Sequence, residues 1–204
     1  MLARAFALKS MPVIISMFQC NIRDGVDLKL LEERQAPAVF ALVNRERAYL
    51  RKWLPWVDLT KQVDDTLKFV KITLAQFANN EGLCAGIWRG DEFAGAIGTH
   101  KIDWLNRKVE IGYWLGSKFQ GQGIVTEACR RLTDHAFMEW DLNRVEIHCA
   151  PGNKKSCAIP VRLGFQLEGV LRKAQLVSGK YLDTNVYAML ARDWKGVSKG
   201  LASQ

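Results

Sequence analysis

Apolar positions recur along this chain at helical and strand periods, and the periods divide it into a sequence of elements. Between Asp27 and Arg34 charged and apolar residues mix as in a first strand. Ala36-Pro37 then opens a helix that runs to about Arg47, since proline is tolerated in the first turn. A second helix spans about Val63 to Ala78, where Leu67, Val70, Leu74 and Phe77 recur at helical spacing, and Asn79-Asn80-Glu81-Gly82 ends it. Three strand-like runs follow, Leu83 to Arg89, Glu92 to Ile102 and Lys108 to Leu115. The turn formers Gly90-Asp91 and Leu105-Asn106-Arg107 join them into an antiparallel meander. Thr126 to Trp140 reads as a helix with Leu132, Ala136 and Met138 on its apolar side. Arg144 to Cys149 is a short buried strand and Lys155 to Leu163 a short helix. Two last strands, Phe165 to Val177 and Asn185 to Ala191, flank Ser178-Gly179-Lys180. This order predicts one α/β domain, a single mixed, mostly antiparallel twisted sheet of about seven strands with helices on both faces.

Between the third meander strand and the following helix lies Gln120-Gly121-Gln122-Gly123. A strand, a tight loop with two glycines and a helix directly behind them make an anion site, because free backbone N–H groups and the helix dipole converge there. A nucleotide P-loop would end in Gly-Lys-Ser/Thr, and this loop ends in Gly123-Ile124-Val125. A dinucleotide fingerprint would put a third glycine where Thr126 stands and an acid at the end of the next strand, but Asp141 precedes that strand. A plain glycine turn remains as the non-functional alternative.

Composition adds little to this picture. The 204 residues, 49% of them hydrophobic, suffice for one domain with a full core. A net charge of +8 favours anionic partners without choosing one. The five cysteines, Cys20, Cys84, Cys129, Cys149 and Cys157, form no CxxC pair or Cys/His cluster at zinc spacing, so they read as reduced cytoplasmic thiols with no metal site. Residues 1–16 form an apolar leader in which Pro12 interrupts the run. Residues 17–195 make the domain and 196–204 a flexible tail, and no run of apolar residues is long enough to span a membrane.

The flanks of the glycine loop change its reading. Ile111 through Ala128, containing Gln120-Gly121-Gln122-Gly123, resembles the cofactor motif of the GNAT acetyltransferases, in the branch that modifies ribosomal-protein N-termini. Val125 departs from the pattern where a smaller residue is usual. Asn153-Lys154-Lys155-Ser156, leading into a helix that ends in Leu163-Gly164-Phe165, is similar to a second family segment. Glu168-Gly169-Val170-Leu171-Arg172, Tyr181-x-Asp183 and Val186 to Leu190 are similar to a third. The likeness runs from about Phe18 to Trp194.

The resemblance implies acetyl-CoA as cofactor and a primary amine as acceptor, most simply the α-amino group of a protein such as a ribosomal protein. DNA and membrane are not expected partners, and a homodimer is. It implies that the strands Lys108 to Leu115 and Arg144 to Cys149 splay apart to admit the pantetheine. The cofactor site would take in Trp114, Leu115, Gln120, Gly121, Gln122, Gly123, Ile124, Val125 and Thr126 from the first segment, and Asn153, Lys155 and Ser156 from the second. Lys154, Arg130 and Arg131 are further candidates for the phosphates. Trp53 and Trp56 resemble the acceptor-side wall, with a core role as the alternative.

For the chemistry, Glu110 lies on the strand beside the splay and is a candidate base, with a surface ion pair as its alternative. Glu146 and His148, on one face of the next strand, are further candidates. Ser156 is a candidate proton donor to the departing thiolate, its alternative being an N-cap of the short helix. The tyrosine that many family members carry four residues before the Gly-Phe pair is Pro160 here, and Gln175 stands where some relatives have glutamate. Two rival functions share the fold: a small-molecule amine acetyltransferase acting on an aminoglycoside, polyamine or amino-acid-like toxin, and a non-catalytic acyl-CoA-binding module.

Overall fold

The computed structural model describes residues 19–196. The apolar leader and residues 197–204 of the tail lie outside them. The chain opens with a hairpin, β1 (Gln19–Arg23) and β2 (Val26–Leu30), turned by Asp24-Gly25 with Gly25 at φ 69°. The sequence expectation of one strand from Asp27 to Arg34 merges the second arm of this hairpin with the 3-10 turn Glu33–Gln35. Helices α1 (Ala36–Arg45), α2 (Arg47–Leu50) and α3 (Val63–Ala78) follow, so the first predicted helix breaks at Glu46.

The meander is β3 (Cys84–Arg89), β4 (Glu92–Thr99) and β5 (Lys108–Leu115). Then come α4 (Ile124–Met138), β6 (Arg144–Cys149), α5 (Lys154–Arg162), β7 (Gln166–Val177) and β8 (Lys180–Leu190). Among the described residues the sheet has eight strands, in the order β1-β2-β3-β4-β5-β6-β8-β7, where the sequence suggested about seven. Every neighbouring pair is antiparallel except β5 and β6. That exception follows from the α4 crossover, because a parallel pair needs a long connection.

Helices cover both faces, and alternation along the strands assigns the faces. Ala85 and Ile87 of β3 join the core beneath α4 and α5, built around Ile124, Ala128, Cys129, Cys157 and Ile159. Cys84, one position before Ala85 and so on the other face, joins the core beneath α1 and α3, built around Val39, Leu42, Val43 and Val70. Two expected core residues are not in it. Phe77 of α3 is 42% exposed and Met138 of α4 is 62% exposed, each in the last turn of its helix.

The parallel pair is brief. Lys108, Val109 and Glu110 pair with Arg144, Val145 and Glu146, and there the register ends. Beyond that point β5 stays with β4, as Ile111–Leu115 against Thr99–Gly95, and β6 stays with β8, as Ile147–Cys149 against Tyr187–Asn185. The two strands part on the side facing the glycine loop, in line with the expected splay.

Candidate functional site

Two large clefts open at the splay. The first, about 1020 Å³, lies on the α4 and α5 side. Its floor is the N-terminus of α4, where Gly123 holds the cap position at φ 73° and Gly121 also has positive φ, at 74°. L-residues pay for that conformation, so glycine is the natural occupant. No side chain among the described residues caps the helix, which leaves the N–H groups of its first turn without intrahelical partners. A side-chain Cβ built at Gly121 would meet nothing within 4 Å. An uncapped, sterically open helix terminus fits a phosphate-bearing ligand.

Of the residues expected at the cofactor, Trp114, Leu115, Gln120, Gly121, Gly123 and Ile124 line this cleft. So do Val125, Thr126, Asn153, Lys155 and Ser156. Gln122 does not: its side chain turns outward, accepting from Arg89 Nη1 at 2.6 Å and donating to Lys118 O at 3.1 Å. Arg23, from the first hairpin, donates to the Gln122 carbonyl and also lines the cleft. Nothing local marked Arg23 as a site residue, because 99 positions separate it from Gln122. Lys155 donates to Gln120 Oε1 at 2.8 Å and Arg162 to Thr126 Oγ1 at 3.0 Å, so α5 brings two cations to the loop and to the first turn of α4.

The second cleft, about 920 Å³, lies between α3, β4, β5 and β7. Trp53 and Trp56 line it together with Phe69, Ile72, Glu110 and His148. Trp56 also packs at 5.8 Å on Trp114, so it serves the core and the cleft wall at once. The hydroxyls of Thr66 and Thr184 are buried at this cleft and have no hydrogen-bond partner among the described residues. The clefts share Trp53, Leu54, Tyr113, Trp114, Asn153 and Ser156, so they meet in the gap between β5 and β6.

The chemistry divides between the two faces of the sheet. On the α4 and α5 face, Asn153 caps α5 by accepting the Ser156 N–H at 3.3 Å. The cap is therefore Asn153 and not Ser156. The Ser156 hydroxyl is left to donate to Tyr113 Oη at 3.3 Å, while the phenol donates to the Ser156 carbonyl at 3.1 Å. Burial pushes the Tyr113 phenol well above its ordinary pKa, so it stays protonated. The sequence reading sought a tyrosine at Pro160 and overlooked Tyr113, which arrives on a different element. Its only signal was strand alternation, which sets Ile111, Tyr113 and Leu115 on one side.

On the opposite face, Glu110, Glu146 and His148 gather. His148 Nδ1 lies 3.2 Å from Glu110 Oε2 and its Nε2 lies 2.9 Å from Glu146 Oε2. Arg144 Nε binds Glu146 Oε1 at 2.8 Å. Burial works against ionisation of Glu146, but the bonds from Arg144 and His148 prevail and hold its carboxyl below the usual range. Cys149 and Cys157 lie 3.2 Å apart, sulfur to sulfur, on the Tyr113 side. Burial raises the Cys149 thiol far from a thiolate, and its Cys157 neighbour adds to the effect.

A model of the acetyltransferase (GNAT) domain matches residues 26–166. The chain is 38% identical to a putative ribosomal N-acetyltransferase of Bacillus subtilis, YdaF, over 88% of this chain and 99% of that protein. It is 30% identical to the ribosomal-protein-serine acetyltransferase of Escherichia coli, over 83% and 95%. Among solved structures, the RimL ribosomal L7/L12 alpha-N-protein acetyltransferase in complex with coenzyme A superposes with a TM-score of 0.81 at 30% identity, covering 84% of this chain and 97% of that one. The microcin C7 self-immunity acetyltransferase MccE, solved with acetyl-CoA and AMP, gives 0.78 at 32%, covering 83% and 94%.

Proposed function

The chain belongs to the GNAT acetyltransferase family, and from that premise we propose that it transfers the acetyl group of acetyl-CoA to the N-terminal α-amino group of a protein, with ribosomal proteins as the acceptor class. The observation that carries this reading is the meeting of two clefts in the β5/β6 gap, one floored by an anion cradle and the other walled by aromatic rings. Acetyl-CoA supplies the activated acetyl group as a thioester.

The chain supplies position and proton traffic. The α4 N-terminus, Arg23, Lys155 and Arg162 hold the phosphates, and the splayed strands take the pantetheine. Glu110, on the acceptor side, takes a proton from the attacking amine at Oε2. Ser156 Oγ gives its proton, held toward Tyr113 Oη at rest, to the departing sulfur on the donor side, and regains one from water in the cleft it lines. General acid and base groups of this kind are worth roughly 10²–10⁴-fold. The amine attacks the thioester directly in a ternary complex, since burial keeps the Cys149 thiol protonated and His148 points to the other face.

A thiol-release assay with acetyl-CoA, corrected for the protein's own cysteines, tests the acceptor class. The panel holds decapeptides with free α-amino groups beginning in Ser, Ala, Thr or Met, beside a polyamine, an aminoglycoside and an aminoacyl nucleotide. Peptide turnover supports the proposal. Turnover of only the small amines would move the function to the small-molecule class, and binding without turnover to an acyl-CoA-binding module.

The cytoplasm, where ribosomal proteins are made, is the matching compartment. The homodimer also belongs to this reading. Edge strand β7 exposes Leu167, Val170 and Leu176 by about half each, on one face by their pairing with Tyr187, Asn185 and Tyr181, an apolar row suited to burial against a second copy. Light scattering that returns the monomer mass across concentrations would remove it.

A further inference from the structure

An α-amino group titrates at about 8 and an ordinary glutamate at about 4.3, so a lone carboxylate is a poorly matched acceptor for the amine's proton. The geometry around Glu110 addresses that mismatch. Glu110 and Glu146 face each other at the last paired position of β5 and β6. Two residues further along β6, where the strands have parted, His148 leans back and inserts its ring between the two carboxylates. Both of its nitrogens are engaged, at 3.2 and 2.9 Å. A neutral imidazole has one N–H, so with both carboxylates ionised one of these contacts has no proton to share. A second proton, delivered to the ring through Glu110, completes both.

We propose that His148 is the group on which the acceptor's proton comes to rest, acting through Glu110. In this step the amine N–H bond breaks toward Glu110 Oε2. The proton then passes to His148 Nδ1, and Glu110 returns to a carboxylate. Glu146, accepting from Nε2–H, fixes the tautomer whose free nitrogen faces Glu110. It then stabilises the imidazolium that forms. Arg144 keeps Glu146 ionised in that role and is itself anchored by Glu168, from Arg144 Nη1 to Glu168 Oε1 at 2.9 Å. The imidazolium lies between two carboxylates, and it returns its proton to water through the cleft it lines.

The other groups around His148 do not take over this task. His100 approaches Glu110 Oε1 only at 3.5 Å and is largely exposed, and Lys101 is tied to Glu81 at 2.6 Å. From β8 the residue opposite His148 is Val186. Asp65 and Lys68 of α3 and Gln175 of β7 also line the cleft, and among the described residues none of them bonds to His148 or Glu110. His148 is thus a positioning and proton-holding residue, distinct from groups that touch the amine.

This inference rests on Glu110 being the base, and the test separates the two. The probe is whichever panel peptide the wild-type full-length protein acetylates fastest, at saturating acetyl-CoA, with kcat and KM followed from pH 5.5 to 9.5. His148→Gln, close to the native ring in size, should lower kcat/KM for the peptide by about 10²-fold with the acetyl-CoA-induced rise in melting temperature unchanged. Its acid limb should move relative to wild type. Glu146→Gln should cause a smaller loss with the same change of profile. His148→Ala should regain rate with added imidazole, and more so with more basic methylimidazoles. Circular dichroism and the acetyl-CoA-induced rise in melting temperature report whether each variant is folded, and His148→Asn replaces any that is not. If Glu110→Gln is slow while His148→Gln keeps the wild-type rate and profile, the relay is wrong and the base assignment stands. If neither variant loses rate, the base assignment falls with it. Loss in His148→Ala without imidazole rescue, together with an unmoved profile in His148→Gln, would reduce His148 to a packing role.

Discussion

The substitution Gly123→Asp tests the anion cradle, provided its backbone cost is separated from its charge. Gly123 caps α4 at φ 73° and ψ 0°, a left-handed conformation that costs an ordinary L-residue roughly 1–2 kcal/mol. Sterically the site is open, because a Cβ there would meet only Arg23 Nη1, at 3.5 Å. Gly123→Ala should therefore lower the ligand-free melting temperature by roughly 2–8 °C, at about 2–4 °C per kcal/mol for a domain of this size. Aspartate tolerates the left-handed region better than alanine, so Gly123→Asp should cost no more in the ligand-free protein. CoA at a hundred times its dissociation constant stabilises a folded protein by about 2.7 kcal/mol, hence by roughly 5–10 °C here. The alanine variant should keep most of that rise. In the aspartate variant the new carboxylate captures Arg23 and occupies the helix N–H groups, and the rise should vanish. Thermal unfolding with and without CoA reads both effects. A Gly123→Asp protein with the wild-type rise would mean that the phosphates bind elsewhere.

The remaining expectations concern the junction. Asn153→Ala should weaken CoA binding less than Gly123→Asp does, and unchanged affinity by calorimetry would leave Asn153 as a helix cap alone. Glu110→Gln should lower the rate most at low pH, where the amine most needs a base, and a loss independent of pH would argue against that role. Tyr113→Phe should slow transfer along with Ser156→Ala. It should also flatten the alkaline end of the stability curve. Burial holds the folded phenol well above the ordinary tyrosine range, so the native protein loses stability as pH rises above about 10, where the unfolded chain's tyrosine ionises, and a phenylalanine has no proton to lose. Melting curves of equal slope above that pH would contradict the buried state of Tyr113. Cys149→Ala and Cys157→Ala should retain transfer with intersecting initial-rate lines, whereas parallel lines and an acetylated cysteine in the mass spectrum would overturn direct attack.

The sequence carried the sheet's middle better than its margins. For α3, β5 and β6 the bounds read from periodicity coincide with the observed ones, because each carries most of its pattern within its own length. The first hairpin did not read as one. Only Ile22 of β1 is buried, so the strand lacks alternation, and the Asp24-Gly25 turn was its one local mark. The final strand begins at Lys180 and not Asn185, since its first residues are largely exposed and show no apolar face. In the candidate site, the loop and the Asn153-to-Ser156 segment were legible as contiguous motifs. Arg23, Tyr113 and the bridging posture of His148 were not, because each depends on a partner brought close by sheet register or by the crossover. For Ser156 the sequence left a helix cap as the alternative, and the assignment of the cap to Asn153 needed the local geometry.

The parting of β5 and β6 after Glu110 bears on which donors the protein will accept. Two strand edges that face each other without pairing present backbone donors and acceptors at a spacing set for another chain. A molecule whose middle section carries amide groups can satisfy them as a short strand would, whereas one without amides leaves them to water. Selection among acyl donors would then fall on the arm that links the phosphates to the sulfur. A simple alkyl thioester of acetate, equal in intrinsic reactivity, would be a poor substrate for the same reason that a strand with its peptide groups removed cannot join a sheet.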